Sequence, residues 1–202
     1  MKRLMTYILV LISSTAFAES ASDAVQAKLN AIHSMSANFT QTVNAGKREV
    51  ANSSGMMAIL RPGRFRWQTN SPMKQLVVAD SERLWVYDIE LEQVTVKKQE
   101  KGVGGTPGLF LSGNNDNLAR DFDVTTSKKG NKELFNLKAK SPKENYQRLT
   151  LIFNGDTLCE IEFFDQLGQH TIVHLSQIKN NPTLATTVFH FKPPKGVDVV
   201  QQ

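Results

Sequence analysis

The sequence contains one cysteine, Cys159, among 202 residues. A single cysteine excludes an internal disulfide, so a buried core or an extensively paired sheet has to stabilise the fold. Cys159 alternates with Ile161 and Phe163, which predicts a small buried side chain in a strand. A catalytic thiol would also need a histidine and an orienting group close in space. The pattern therefore favours a structural role for this thiol.

Long apolar runs are also scarce, and the one present is at the start of the chain. Lys2 and Arg3 precede an apolar run over residues 4–14, and Ala16-Phe17-Ala18 has the small-x-small form of a cleavage site. These are the features of a secretory signal peptide, and the run is too short for a permanent membrane span. We expect cleavage after Ala18. Residues 19–202, about 184 in number, then form a single exported domain.

The chain has little excess charge of either sign. Removing Lys2 and Arg3 with the leader lowers the formal charge from +5 to +3. This is too small an excess to indicate a nucleic-acid-binding protein. Only residues 64–67 interleave cations with aromatic side chains. We expect no nucleic-acid partner.

Histidines are few, and their arrangement predicts no metal site. There are four: His33, His170, His174 and His190. His170 and His174 have the spacing of a helical metal pair, but the surrounding residues alternate as in a strand. His33 lies beside the apolar stripe of a predicted helix, where an exposed or rim position is expected.

Other motifs of catalysis are missing. No Gly-x-Ser-x-Gly sequence occurs, and the glycine-rich residues 102–105 lack the Lys-Ser/Thr ending of a phosphate-binding loop. Asp121 and Asp123 flank Phe122 and are expected to be solvated strand residues. We therefore predict that the protein is not an enzyme and needs no cofactor.

An amphipathic helix is predicted at the start of the exported part, over residues 20–35. Its apolar positions recur every three or four residues, at Val25, Leu29, Ile32 and Met35. Ser20 or Ser22 is suited to cap its first turn. This stripe has to pack on another apolar surface.

Short alternating segments fill most of the remaining chain. They are residues 36–43, 55–60, 64–69, 75–79, 83–87, 93–98, 122–127, 133–139, 148–153, 157–164, 171–178 and 188–191. Polar residues 44–54 predict a hairpin region, and Asn154-Gly155 is a strong turn signal. The spacing predicts an α+β fold that is mostly antiparallel β, an unclosed half-barrel of about eleven strands covered by a lid of short helices.

Residues 101–114 interrupt the strand pattern and predict a short apolar helix. Thr106 suits its N-cap, Pro107 its first position and Gly113 its end. Glycine-rich flanks around an apolar helix are typical of a movable flap, and a rigid helix that plugs the end of the sheet is the alternative.

The curved sheet and the helices are expected to enclose an apolar cavity, because a barrel larger than eight strands is not filled by its own side chains. The residues predicted to line it are Leu29, Ile32, Phe39, Met57, Ile59, Trp67, Leu109, Phe110 and Leu111.

Residues 61–67, Arg-Pro-Gly-Arg-Phe-Arg-Trp, join a proline corner to an alternating strand. Pro62 has no N–H to donate and biases Arg61 towards an extended conformation. Alternation places Phe65 and Trp67 on one face and the neighbouring arginines on the other. Arg61 is therefore predicted at the strand end, over the aromatic face.

An ordered set of short motifs over nearly the whole exported chain resembles the LolA family, periplasmic carriers that move lipoproteins from the inner to the outer membrane of Gram-negative bacteria. The motifs are Phe39-Thr40-Gln41, Arg61-Pro62-x-x-Phe65-x-Trp67, Leu84-Trp85-Val86-Tyr87 with Glu92-Gln93-Val94, Thr106-Pro107, and Phe189-x-Phe191-x-Pro193-Pro194-x-Gly196-Val197. No single motif is specific, but their order and spacing are.

The resemblance implies a role for several residues and a set of partners. It implies that Arg61 latches the lid by hydrogen bonds to backbone near Leu111, Ser112 and Leu29, and that Phe65 lies at the cavity mouth and contacts the donor. The implied cargo is the acyl part of triacylated lipoproteins. The implied donor is an inner-membrane ABC transporter, and the acceptor is an outer-membrane lipoprotein receptor of similar fold. A carrier that hands its cargo on is expected to be a monomer. Gly108 departs from the bulky residue that often follows Thr-Pro in the family.

Two alternatives stay open at this point. An apolar concave face would also suit a binding protein for a fatty acid, a glycolipid or another small hydrophobic ligand. A hydrolase is a more distant alternative, since it would have to use Cys159 or one of the histidines.

Overall fold

The computed structural model describes residues 20–99, 107–113, 118–141 and 146–202, with only the backbone described for 107–109. In chain order the elements are α1 (Ala21–Asn30), β1 (Ser34–Ala45), β2 (Arg48–Leu60), β3 (Arg64–Ser71), β4 (Gln75–Asp80), β5 (Arg83–Asp88), β6 (Gln93–Lys98), α2 (Pro107–Ser112), α3 (Leu118–Asp121), β7 (Phe122–Lys129), β8 (Lys132–Ala139), β9 (Tyr146–Asn154), β10 (Thr157–Asp165), β11 (Gln169–Asn180), a 3-10 helix (Thr186–Phe189) and β12 (Asp198–Gln201). The predicted signal peptide and the N-cap Thr106 lie outside the described residues.

All twelve strands belong to one sheet with the order β12-β6-β5-β4-β3-β2-β1-β11-β10-β9-β8-β7. Neighbouring strands are antiparallel, except that β12 runs parallel to β6. Since β12 and β7 are the two edges, the sheet is not closed into a barrel. The predicted fold class, an unclosed antiparallel sheet with a few short helices, is confirmed.

Helix α1 is shorter than predicted. The Ser20 hydroxyl accepts from the Asp23 N–H at 3.2 Å, which caps the first turn. The helix ends at Asn30, and Met35 lies in β1, where it pairs with Ile59. The prediction that Met35 belongs to the helix was wrong, because its apolar character comes from an inward-facing strand position. Within the described ranges, no helix is long and apolar enough to cross a membrane.

The β1–β2 hairpin is longer and tighter than predicted. Ala45 pairs with Arg48, so only Gly46 and Lys47 form the turn, and Gly46 has a φ of +62°. Residues 48–54 belong to the polar stretch 44–54 that was predicted as a hairpin region between two strands. They form strand nonetheless, since backbone pairing with β1 satisfies their hydrogen bonds on an exposed part of the sheet.

The C-terminal segment also differs from its prediction. Alternation over residues 188–191 predicted a strand, but Thr186–Phe189 is a 3-10 helix in which the Val188 N–H donates to Ala185 O at 3.1 Å. Phe189 is buried, and the helix packs on β3 and β4. The apolar residue therefore contacts the face of the sheet, and the last strand is β12.

The two faces of the sheet carry different apolar layers. The concave face joins α1, α2, α3 and nearly all strands in one buried cluster. On the convex face, Leu76 and Val78 of β4 are buried, and Phe191 packs against Trp85 with ring centroids 5.7 Å apart. Both faces of β4 are therefore covered, as the run Leu-Val-Val-Ala at residues 76–79 implies.

Candidate functional site: the concave face and its helices

The residues predicted to line a cavity lie together on the concave face. One buried cluster includes Leu29, Ile32, Phe39, Met57, Ile59, Trp67, Phe110 and Leu111. The side chain of Leu109 lies outside the described residues. Helix α2 packs on β2 and β3, so Phe110 and Leu111 cover this part of the sheet. That these side chains bind a ligand stays a prediction.

An aromatic pair forms the centre of this surface. The rings of Phe39 and Trp67 are stacked, with centroids 4.0 Å apart and planes at 27°. Gly55 is the cross-strand partner of Phe39, and a Cβ added to Gly55 would clash with the Gln68 carbonyl oxygen and meet the Phe39 ring at 3.0 Å. The missing side chain thus gives Phe39 room to lean on Trp67. Gly55 was not predicted as a site residue, although an isolated glycine in a strand is a signal of close approach.

Arg61 lies at the corner between β2 and β3, where it contacts α2. Its Nε donates to Leu111 O at 2.8 Å, and its backbone N–H donates to His33 O at 2.9 Å. Two residues later, the Gly63 N–H donates to Ser112 O at 2.7 Å. The carbonyls at the end of a helix have no intrahelical partner, so this corner satisfies two of them.

The third predicted contact of Arg61 is a hydrogen bond to the backbone near Leu29. The Leu29 carbonyl accepts from the Ile32 N–H at 3.1 Å, which closes the last turn of α1. A hydrogen bond from the Arg61 guanidinium to this carbonyl stays a prediction.

The corner that carries Arg61 is supported by the neighbouring turn. Gly63 has a φ of +73°, and a Cβ there would lie 3.2 Å from the Cβ of Ser81. Gln99 Nε2 donates to Gly63 O at 3.0 Å. A side chain at position 63 would therefore be strained in backbone conformation and crowded by Ser81.

Asp80 organises this neighbouring turn. Its carboxylate accepts from the N–H groups of Glu82 (2.9 Å) and Arg83 (2.7 Å) and from Trp85 Nε1 (3.3 Å). Partial burial raises the pKa of this carboxyl group, but the hydrogen bonds and the charge of Arg83 outweigh it and lower the pKa below its ordinary value. The carboxylate is thus stabilised in its charged form.

Phe65 is fully buried in this structure, at 0% exposure, and Trp67 is 8% exposed on the same face. Alternation predicted the shared face correctly. The predicted location of Phe65 at the cavity mouth, in contact with a donor, requires a state in which the helices have moved. That role stays a prediction.

A second part of the cluster, on β7–β11, was not predicted from the sequence. Its largest fully buried side chains include Phe135, Phe153 and Phe163. Tyr146 packs against Phe163 at 4.7 Å, and burial, with a smaller effect of the Asp165 charge, raises the pKa of this phenol to about 12. The alternation of these strands was visible, but their cross-strand partners were not, so no site residues were assigned there.

Cys159 does not occupy the predicted inward position. The β9–β10 register shifts between Leu158 and Glu160, so Cys159 is the extra residue of a β-bulge and is half-buried. Leu158 faces the core in its place. The thiol lies 3.3 Å from Ile152 O, and burial raises its pKa, which disfavours a nucleophilic thiolate.

The histidines of β11 form separate pairs with glutamates of β10. His170 Nε2 lies 2.9 Å from Glu162 Oε2, and His174 Nδ1 lies 3.1 Å from Glu160 Oε2. Both histidines lie in a strand, as their surroundings predicted. Among the described residues, no three His, Cys, Asp or Glu side chains are grouped to hold a metal ion.

Comparison with known proteins decides the family. Residues 30–192 match the model of the family described as outer membrane lipoprotein carrier protein LolA. The chain belongs to this family. The resemblance inferred from the short motifs is therefore confirmed.

Individual relatives agree with the family match. An outer-membrane lipoprotein carrier protein of Legionella pneumophila (strain Corby) is 55% identical over 202 residues, covering 100% of both chains. One from Dechloromonas aromatica (strain RCB) is 37% identical over 207 residues, covering 97% of this chain and 98% of its own. LolA-family proteins are carriers, so family membership also supports the prediction that the protein is not an enzyme.

A solved structure supports the fold alone. A conserved protein of Thermus thermophilus superposes with a TM-score of 0.54 at 13% identity, covering 89% of this chain and 99% of that one. The open sheet with its helices is thus an architecture found in distant proteins.

Proposed function

We propose that this protein is a periplasmic carrier that accepts acylated lipoproteins, shields their acyl chains on its concave face and passes them to the outer membrane. Family membership carries this proposal, because relatives matched over their full length are named outer-membrane lipoprotein carriers. The apolar concave face is the surface of this chain that suits acyl chains.

The size of the hydrophobic penalty explains why such a carrier is needed. At ~0.8 kcal/mol per methylene, exposing three long acyl chains to water costs on the order of 30 kcal/mol. The concave face offers Phe, Leu, Ile, Met and Trp side chains, and no charged side chain is buried among the described residues. Broad, non-directional contact of this kind binds chains of differing length and still permits release.

Arg61 is the proposed latch. When no cargo is bound, the contacts of α2 with Arg61 and Gly63 hold its apolar residues over the concave face. A hydrogen bond that involves a charged group contributes roughly 1.5–3 kcal/mol. Closure by one or two such bonds is favourable, yet cargo can reverse it. The planar guanidinium also has donors on three nitrogens, a geometry that lysine does not reproduce.

The proposed partners follow from the family. The donor is an inner-membrane ABC complex that releases triacylated lipoproteins, and the acceptor is an outer-membrane receptor of similar fold. Phe65 is the proposed donor contact, exposed once α2 moves. Residues 1–18 are the proposed signal peptide, and the carrier is proposed to be a monomeric single domain over residues 19–202.

Release of lipoproteins from spheroplasts tests this function. We expect added purified protein to move newly made, radiolabelled lipoproteins from the spheroplast membrane into the soluble fraction as a one-to-one complex. The control is a lipoprotein variant whose acceptor cysteine is replaced, which carries no acyl chains and should not form the complex. If the soluble fraction gains no lipoprotein, or gains the unacylated variant equally, the proposal is wrong.

Identification of the bound lipid separates the carrier from a binding protein for small hydrophobic ligands. Native mass spectrometry of protein purified from the periplasm should show an acylated polypeptide. A free fatty acid or glycolipid as the sole bound species would favour the alternative.

A further inference from the structure

A groove of about 310 Å³ lies on the convex face of the sheet, away from the acyl-binding surface. It spans strands β11, β1, β2 and β3. Its floor includes Ser36 and Ala58, whose sequence neighbours Ala37 and Met57 are buried on the concave side. Because successive side chains of a strand point to opposite faces, the groove opens on the outside of the carrier.

Side-chain size along one row of the sheet explains the groove. Lys179, Ser36, Ala58 and Arg66 are in direct register across the four strands. Two small residues in the middle are thus flanked by two long cationic ones. Three strand spacings separate the backbones of Lys179 and Arg66 by about 14 Å, which leaves the width of one extended chain between their side chains.

The next row supplies amides and a flexible apolar surface. Asn38 pairs with Met56, and Met56 pairs with Gln68, so all three border the groove. Met56 is 50% exposed, so its side chain is accessible from the groove. Asn38 Nδ2 donates to Gln177 Oε1 at 3.0 Å. Methionine adapts to the shape of a bound side chain, and amides both donate and accept hydrogen bonds.

Gln177 is held in a conformation that non-glycine residues seldom adopt. Its φ is +50°, at the point where the β1–β11 register shifts between Ser36 and Asn38. A bulge of this kind redirects side chains, and backbone strain of this kind clusters at binding sites. Here it places the Gln177 amide on the rim of the groove.

The chain after β11 makes two hydrogen bonds close to the groove. Ser34 Oγ donates to Pro182 O at 2.6 Å, and Arg66 Nη1 donates to Val188 O at 3.5 Å. The second contact uses one nitrogen of the Arg66 guanidinium, which has five N–H donors on three nitrogens.

We propose that this groove docks an extended peptide segment with a carboxylate side chain, contributed by a partner protein. Arg66 and Lys179 are the charged members of the ten described lining residues, and none of the ten is acidic. A carboxylate between the two cations gains charge-assisted hydrogen bonds, and an apolar neighbour in the peptide contacts Met56. Asn38 and Gln177 bond each other, and Gln68 Nε2 donates to Asn70 Oδ1 at 3.1 Å. The remaining donors and acceptors of these three amides match those of a peptide backbone, which a lipid phosphate lacks. This inference concerns polypeptide binding and goes beyond the acyl-carrier function.

Titration of ¹⁵N-labelled protein with a short peptide tests the proposal. The probe is acetyl-Leu-Glu-Leu-Asp-Leu-amide, and its counterpart has lysine at both acidic positions. We expect the acidic peptide at about 1 mM to shift the amide resonances of Ser36, Ala58 and Gln177, and the basic peptide to leave them unchanged. Shifts confined to the concave face, or none with the acidic peptide, would overturn the proposal.

Double variants distinguish peptide binding in the groove from attraction by the overall positive charge of the protein. Arg66→Gln with Lys179→Gln should weaken peptide binding about tenfold or more. The matched control, Lys128→Gln with Lys138→Gln on β7 and β8, removes the same charge and should leave affinity within about twofold. Ala58→Leu fills the floor, keeps both cations and should also abolish the shifts, which covers the case in which the double variant fails to fold.

A membrane surface is the competing occupant. Vesicles of phosphatidylglycerol are added to the wild type and to both double variants in a sedimentation assay. The peptide proposal expects sedimentation that does not depend on Arg66 and Lys179. Vesicle binding that these two substitutions abolish, together with equal peptide affinity in the wild type and the groove variant, would assign the groove to lipid and overturn it.

Discussion

Helices α1 and α2 both cover the concave face with buried apolar side chains, but they are attached to the sheet differently. Helix α1 continues directly into β1, and Asn181 at the end of β11 binds this junction: its Nδ2 donates to Ala31 O at 2.9 Å, and its Oδ1 accepts from His33 N at 2.8 Å. Lys28 Nζ also lies 3.1 Å from Asp156 Oδ1, in the β9–β10 turn.

Helix α2 is attached through its C-terminal carbonyls. Leu111 O and Ser112 O accept hydrogen bonds from Arg61 and Gly63, two residues of a single corner. Helix α2 has six residues and α1 has ten, so both are shorter than the ~12–15 residues below which an isolated helix is marginal in water, and both rely on their attachment to the sheet. The comparison indicates that α1 is part of the sheet's stable framework. The hydrogen bonds described for helix α2 lie at one corner, and Phe110 also packs edge-on against Phe122 with ring centroids 6.5 Å apart. We expect a helix held in this way to move without unfolding the sheet.

The largest expected effect concerns the core of α1. Leu29 is fully buried, and Leu29→Ala should lower the free energy of unfolding by about 2–5 kcal/mol, because it removes apolar contacts that the framework cannot replace. Urea denaturation followed by circular dichroism measures this loss. Leu29→Met, which conserves volume, should cost less than about 1.5 kcal/mol.

The same deletion in α2 provides the matched comparison. Leu111 is 2% exposed. If α2 opens as a unit, the decrease in the free energy of global unfolding caused by Leu111→Ala cannot exceed the free energy of opening α2. We expect a smaller decrease in global stability than for Leu29→Ala. Equal losses in the two variants would show that α2 is as much a part of the framework as α1.

Arg61→Leu addresses the attachment of α2 directly. Loss of its hydrogen bond to Leu111 O should reduce the free energy of lid closure by roughly 1.5–3 kcal/mol while changing global unfolding by less than about 1 kcal/mol. Amide exchange at the α2 residues should then be about tenfold or more faster than in the wild type. We also expect cargo to be bound but not passed to outer membranes.

Arg61→Lys is the control for charge, since lysine keeps the cation but not the planar donor geometry. It should restore little of the slow exchange. Transfer to outer membranes at the wild-type rate by Arg61→Leu would contradict the latch role.

The difference between the two helices was only partly predictable from the sequence. Period-2 alternation identified β1 and β3–β11 closely, because most of these strands alternate inward apolar with outward polar residues; β4 and part of β9 are buried on both faces. It failed where residues distant in the sequence determine the local structure. Met35 was assigned to the helix, because its place in β1 follows only from its pairing with β2 and β11. The end of α1 is set by Asn181, about 150 residues away, which no local pattern indicates.

A β-bulge accounts for the error at Cys159. Strict alternation placed Cys159 in the core, whereas one extra residue in β10 put Leu158 there. In contrast, Arg61 was placed correctly at a strand end because Pro62 leaves a local signal, and α2 begins at Pro107 as its sequence predicted. The hydrogen-bond partners of Arg61 were predicted from the family resemblance, because no local sequence pattern shows that residues 61 and 111 are close in space.

Asn181→Ala tests how α1 is held at its C-terminal end. It removes side-chain hydrogen bonds to Ala31 O, His33 N and Ser34 N, and water replaces them only in part because Ser34 is buried. We expect a decrease of about 1–2 kcal/mol in the free energy of unfolding and no acceleration of exchange in α2. Faster exchange in α2 would mean that the two helices are coupled and would weaken the distinction between them.

The smallest effect on the free energy of unfolding is expected at Asp80, which contacts α2 only indirectly, through the 80–83 turn and Gly63. Asp80 binds the turn that packs against Gly63, and its carboxylate accepts hydrogen bonds from two backbone N–H groups and Trp85. Asp80→Asn should lower the free energy of unfolding by less than about 1 kcal/mol at neutral pH, because the carboxylate is largely accessible to water. The asparagine side chain in this variant has one acceptor oxygen and lacks the negative charge of the carboxylate.

The pH dependence gives this prediction its sign. The hydrogen bonds lower the folded-state pKa of Asp80 below the unfolded value of about 3.9. Its contribution to stability is therefore complete above that value and is lost as the pH falls through the folded-state pKa. The stability difference between wild type and Asp80→Asn, measured by urea denaturation from neutral pH downwards, should shrink towards acid. A constant difference would mean that the geometry of the turn, and not the carboxylate charge, supports the corner that holds α2.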